Sequence, residues 1–110
     1  NVSTTRAELP VETATSLSLV GVEADRTDLL NDILETLASR YTAWEGGESL
    51  VPAYQRVCTT IGRGVRVDLP SGETLAGTAT GIDDSGRLIV ENDRGITSVG
   101  AGDVVHVRSK

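Results

Sequence analysis

Arg66 and Arg108 are the residues of this sequence whose type and placement point most directly to chemistry. Each sits in an alternating stretch, "VRVDL" at 65–69 and "DVVHVR" at 103–108. Side chains alternate along a strand, so turning Val65, Val67 and Leu69 toward a core sends Arg66 and Asp68 outward. By the same alternation, Val105 and Val107 facing inward would send His106 and Arg108 outward. Where the first and last strands of a small sheet are neighbours, the two guanidinium groups come close together. Like charges side by side repel unless an anion or a carboxylate bridges them. Two readings stay open on the residues alone: an anion-facing pair, or arginines that are solvated or paired with Asp68 and Asp103.

The other residues able to do chemistry carry weaker signals. Cys58 is the one cysteine and has no histidine near it in sequence. It is expected to pack in a core rather than act as a nucleophile. His106 has no His or Cys at metal-ligand spacing and reads as a surface imidazole. Asp83-Asp84 begin "DDSG", which a turn needs for its own hydrogen bonds, and no calcium-loop spacing follows. "GRG" at 62–64 is too short for a phosphate loop and reads as a hinge. No metal site is expected.

These residues must be positioned by two kinds of element. "VETATSLSLVG" predicts a short helix at about 12–19, ended by Gly21. Asp25 can cap a longer helix, with Asp28 three residues on. Leu30, Ile33, Leu34, Leu37, Tyr41 and Trp44 recur at helical spacing as one apolar stripe, with Trp44 expected to anchor it in a core. Gly46-Gly47 stop it. Ser49 reads as the cap of a second helix with Pro52 in its first turn, and Val51, Tyr54, Val57, Cys58 and Ile61 as its buried side. From Gly62 the period changes from 3.6 to 2. Strands are predicted at 65–69, 73–82 and 87–91, then in "ITSV" and "DVVHVR", with Gly77 and Gly81 permitting sharp bends. Five short strands joined by tight turns read as an SH3-like barrel.

Composition narrows what such a chain can do. Apolar residues at 38% and charged residues at 24% fit a globular protein rather than a disordered one. No apolar run approaches the length of a membrane span. A single cysteine cannot staple the fold, which makes a reducing cytoplasm the natural setting. Ten basic against sixteen acidic residues, a net charge of −6, argue against binding to a phosphate polymer. Tyr41, Trp44 and Tyr54 all precede the strands, so the strand region lacks the aromatic side chains that line proline-rich-peptide grooves or stack nucleic-acid bases. The sequence opens at Asn1 without an initiator Met, and is expected to be the remainder of something longer.

The order of elements resembles a known family. Asn1 after a truncated strand, then "YQRVCTTIGRGVRV", "GETLAGTATGIDDSGRLIVEN" and "VGAGDVVHVR", are similar to the C-terminal part of biotin–protein ligase. The most specific piece is "GTATGIDDSGRLIVEN", which fits the family's G-x-x-x-G-I-D-x-x-G-x-L hairpin. A G-[DE]-V…R ending follows, and Asn1 matches the Asn that closes the family's G-x-G-x-N strand.

The resemblance implies an α+β chain. Residues 1–61 would be the C-terminal, mostly helical part of a catalytic domain, and residues 62–110 a five-stranded SH3-like barrel. It implies an enzyme that uses ATP, Mg2+ and biotin to make biotinyl-adenylate, then passes biotin to a lysine of the biotin carboxyl carrier domain of acyl-CoA carboxylases. Asn1, Arg66 and Arg108 are implied on the ATP side, Asn1 toward the adenine or metal-phosphate region, Arg66 toward the phosphates. Arg108 with Asp103 resembles the charged pair of the terminal strand. The family's Gly-Arg-Gly-Arg-x-Gly loop and Lys-Trp-Pro-Asn-Asp stretch have no counterpart here, so this segment is expected to be inactive without the rest of the catalytic domain. A free-standing SH3-like interaction module with a helical extension is the alternative; nucleic acid is not an expected partner.

Overall fold

The computed structural model describes residues 1–107, and the expected position of Arg108 lies outside them. The chain divides into two compact units, Asn1–Gly46 and a second beginning at Gly47. The division falls at the glycine pair that stops the long helix.

The first unit holds 3-10 turns at Arg6–Glu8 and Ser18–Val20 and helix α1, Arg26–Glu45. The helix expected at about 12–19 is reduced to the second of these turns. Side chains capture the backbone that a helix would need. The buried Ser16 hydroxyl donates to the Thr4 carbonyl (2.7 Å) and accepts from the Leu19 amide. The Arg6 guanidinium donates to the carbonyls of Glu12 (3.2 Å) and Ala14 (2.7 Å). Gly21 ends the segment as expected, at φ 83°. One carboxylate oxygen of Asp25 caps α1, accepting from the Thr27 (2.9 Å) and Asp28 (3.0 Å) amides.

The stripe on α1 departs from expectation. Leu30, Ile33, Leu34, Leu37, Tyr41 and Trp44 are each between 51% and 60% exposed. Trp44 leans on Tyr41, ring centroids 5.7 Å apart, rather than anchoring a core. All the buried apolar residues described lie in the second unit.

That unit holds α2, Val51–Val57, and five strands: β1 Gly64–Asp68, β2 Thr74–Ile82, β3 Leu88–Asn92, β4 Gly95–Val99 and β5 Asp103–His106. Ser49 accepts from the Val51 amide (3.3 Å), but Leu50 is the cap residue, and Pro52 sits in the first turn. Cys58 turns extended and ends the helix. Val57 is consequently 75% exposed and Tyr54 is exposed too, whereas Val51, Cys58 and Ile61 are half-buried.

The strands form one antiparallel sheet in the order β4-β3-β2-β1-β5. β1 and β5 are neighbours, as a pairing of the first and last strands requires. Among the described residues β4 and β5 are edges that do not pair, so the sheet is open and closure into a barrel is not seen. Val65, Val67, Ala79, Val90 and Val99 make the core, with Leu69, Leu75 and Leu88 against it. Two glycines of β2 let it serve two neighbours. A Cβ on Gly77 would fall on the Glu91 carbonyl oxygen and 2.9 Å from Val90 Cγ1. Past it the β2–β3 register shifts between Ala79 and Gly81, a bulge that bends the strand.

Candidate functional site

β1 behaves as its alternation predicts. Val65 and Val67 are buried, while Arg66 and Asp68 stand on the outward face. A terminal guanidinium nitrogen of Arg66 lies 3.2 Å from Asp68 Oδ2, and the side chains are 52% and 47% exposed. The Thr74 hydroxyl donates to Asp68 Oδ1 at 3.2 Å. Thr74 is the residue directly opposite Asp68 on β2. On the other side, Asp68 faces Asp103 of β5. Arg66 is therefore paired with a carboxylate of its own strand, within a patch that also holds a second carboxylate.

The parity of β5 is the reverse of the expectation. Val65 pairs with His106, Arg66 with Val105 and Val67 with Val104. Directly paired residues share a face, so Val104 and His106 stand on the core side and Val105 beside Arg66. The cause is twofold. "VVHV" is apolar at 104, 105 and 107, so alternation alone does not choose. Gly102 then sets the register. At φ 150° it approaches β1 so closely that a Cβ would meet Val67 Cγ1 at 2.8 Å and the Asp68 carbonyl at 3.0 Å. His106 is an exposed surface imidazole as expected, and its Nε2 lies 3.0 Å from the Thr60 hydroxyl. The residue across from Arg66 is a valine, not a second cation.

Asn1 lies in the first unit, where its amide donates to the Thr15 carbonyl (3.1 Å) and its own carbonyl accepts from the Leu17 amide (3.1 Å). Its side-chain oxygen carries no such bond among the described residues. The same stretch contains Glu8, whose carboxylate accepts from the Thr5 amide (2.8 Å), and these bonds to Thr5 hold its pKa below the ordinary value.

The "DDSG" segment is a self-contained turn. Asp83 Oδ1 accepts from the Ser85 and Arg87 amides, both at 2.9 Å, and Oδ2 pairs with Arg87 Nε at 3.0 Å. The Arg87 amide bond leads these in lowering the Asp83 pKa, against a smaller opposing effect of desolvation. Cys58, expected in the core, instead lines a groove of about 240 Å³ with Tyr54, Ile82, Leu88 and Val99.

One feature escaped the sequence. Between the first half of β2 and the β3–β4 turn lies a hollow of about 440 Å³ bordered by Thr74, Ala76, Arg94 and Thr97. Asn92 bridges its edge, donating to the Ala76 carbonyl (2.8 Å) and accepting from the Arg94 amide (2.9 Å). "NDRG" signalled the turn, but nothing local signalled the reach to Ala76.

An open antiparallel sheet with a tethered cation on its outward face, after an uncovered amphipathic helix, defines a small β-domain with a helical lead-in. Residues 60–107 match the family described as Biotin protein ligase C terminal domain. Over those residues the chain carries the C-terminal domain of biotin protein ligases, and its likeness to such enzymes extends beyond them. It is 41% identical over 97 residues to the biotin--[acetyl-CoA-carboxylase] ligase of Mycobacterium tuberculosis (strain ATCC 25618 / H37Rv), covering 86% of this chain and 36% of that protein. Its fold matches the apo structure of biotin protein ligase from Aquifex aeolicus at TM-score 0.80 and 19% identity, covering 99% of this chain and 50% of that one. The same Aquifex aeolicus enzyme in complex with biotin and ATP matches at TM-score 0.73 and 17% identity, over 87% and 42%. The chain thus spans about a third of the curated relative and about half or less of these solved structures.

Proposed function

We propose that this chain is the C-terminal portion of an ATP-dependent biotin–protein ligase. In this reading the whole enzyme joins biotin and ATP into biotinyl-adenylate with release of pyrophosphate. It then transfers biotin to a lysine of a biotin carboxyl carrier domain. Residues 1–61 complete the catalytic domain, and residues 62–110 are an SH3-like barrel that supports ATP use and carrier docking. The observation carrying the proposal is the 41% identity to a named biotin ligase over most of the chain.

Asn1, Arg66 and Arg108 are assigned to the ATP side. An amide can donate and accept at a base edge, and a guanidinium offsets phosphate charge, the main demand of such a reaction. Magnesium enters with ATP: among the described residues no group of three or more His, Cys, Asp or Glu is placed to hold a metal ion. The reading puts the enzyme in the cytoplasm; no described helix is long and apolar enough to cross a membrane. The uncovered stripe on α1 supports it over a free-standing module, because a stripe of that size calls for a covering domain.

The test is direct. The full-length protein, given biotin, ATP, magnesium and a carrier domain, is expected to biotinylate one carrier lysine, and residues 1–110 alone none. A full-length protein that leaves the carrier unmodified, or modifies it without ATP, overturns the proposal.

A further inference from the structure

The cation on β1 is held rather than loose, and the way it is held has a direction. The nearest cross-strand neighbours of Arg66 are Ala76 on β2 and Val105 on β5, neither with a polar side-chain atom. Orientation therefore falls to Asp68, two residues along the same face. Asp68 takes one terminal nitrogen of the guanidinium and is itself fixed through its other oxygen by Thr74. The guanidinium has five N–H donors in a rigid fork, and the structure gives it this one hydrogen bond among the described residues. Arg66 stands on the exposed face of β1, and the residue opposite it on β2 is the small Ala76.

We infer that Asp68, braced by Thr74, is a positioning residue that aims the Arg66 fork at a polyphosphate. The inference rests on the reading of Arg66 as an ATP-side cation. Without the tether the long side chain samples many rotamers, and an anion must immobilise it on binding. With the tether that ordering is largely complete beforehand. The carboxylate also weakens the local positive charge, so the two effects oppose each other and experiment can weigh them.

Steady-state biotinylation by the full-length enzyme decides, with KM for ATP, KM for biotin and kcat measured separately. Arg66→Ala is expected to raise KM for ATP by about tenfold or more, the scale of one charged hydrogen-bond set. Asp68→Asn is expected to raise it about twofold to fivefold, the range of an exposed pair, leaving kcat and KM for biotin unchanged. Thr74→Val should move KM for ATP the same way, Thr74→Ser should restore it, and Asp68→Asn should add nothing in the Arg66→Ala background. If Arg66→Ala raises KM for ATP while Asp68→Asn lowers it or leaves it unchanged, positioning is wrong and the ATP-side reading stands. If Arg66→Ala itself leaves KM for ATP unchanged, both fall. Should Asp68→Asn fail to fold, the contrast between Thr74→Val and Thr74→Ser decides by itself.

Discussion

The side-chain carbonyl of Gln55 accepts a hydrogen bond from the Ile82 amide at 3.0 Å, and the same oxygen lies 3.1 Å from where a Cβ on Gly81 would stand. One side chain of α2 thereby satisfies a backbone donor next to the bulge of β2, at a point where the shifted register interrupts the ladder. The glycine makes that approach possible. Gln55→Leu is expected to cost about 1–2 kcal/mol of unfolding free energy by stranding the amide. Gly81→Ala should cost less, because the new methyl group asks the same oxygen only to shift slightly. The double variant should cost clearly less than the two single costs combined. Denaturant unfolding measures this; strict additivity would show that the two positions act separately.

Gly77 is under a stricter demand than Gly81. Its missing Cβ is the space occupied by the Glu91 carbonyl, which is backbone and has no rotamer to change. Gly77→Ala is therefore expected to destabilise the second unit by about 3 kcal/mol or more, at the severe end for a single substitution. Gly72→Ala is a milder comparison: φ is 87° but a Cβ there meets nothing within 4 Å, so only backbone conformation is at stake. Equal losses at the two sites would contradict the close approach of β2 and β3.

The turn after β2 should make stability depend on pH in one direction. Asp83 is bonded to two amides and to Arg87 when folded, and solvated when unfolded, so its pKa is depressed in the folded chain. The stabilisation is complete above the unfolded pKa of about 4 and is lost as pH falls through the lower folded value. Thermal melts between pH 6 and about pH 3 are expected to fall less steeply for Asp83→Asn than for the parent chain. Glu8 acts in the same sense through Thr5, so some slope should persist. Identical slopes in the two proteins would remove Asp83 from the account.

Much of the sheet was legible because its signals are local. "PSG", "DDSG" and "NDRG" carry their own turn chemistry, and the alternation in "VRVDL" fixed which face holds Arg66. The face of β5 was not legible, since "VVHV" supports either parity and the decision belongs to Gly102 against Val67. Likewise, nothing near Ser16 announces that its hydroxyl will take the Thr4 carbonyl and shorten the helix expected there. At the candidate site, Arg66 and its exposure were legible. Its tether to Asp68 was one of two open readings, and Thr74 was missed because a cross-strand bond needs the register first.

The stripe on α1 gives the prediction with the widest reach. Six large apolar side chains, Leu30 through Trp44, are half or more exposed along a helix of 20 residues. Amphipathic helices draw most of their stability from burying such a face. If the missing cover is the rest of a catalytic domain, residues 1–110 produced alone should self-associate through it. Leu34→Glu with Leu37→Lys should then return the fragment to a monomer, because charge on the stripe abolishes the attraction. The same pair in the full-length enzyme should do the opposite of helping. Burying unpaired charge there is expected to cost about 3 kcal/mol or more and to lower soluble yield. Sedimentation of the fragment and thermal melting of the full-length protein test the two halves separately. A fragment that stays monomeric, with a full-length enzyme indifferent to the double substitution, would mean that the stripe faces water in both and that α1 completes no core.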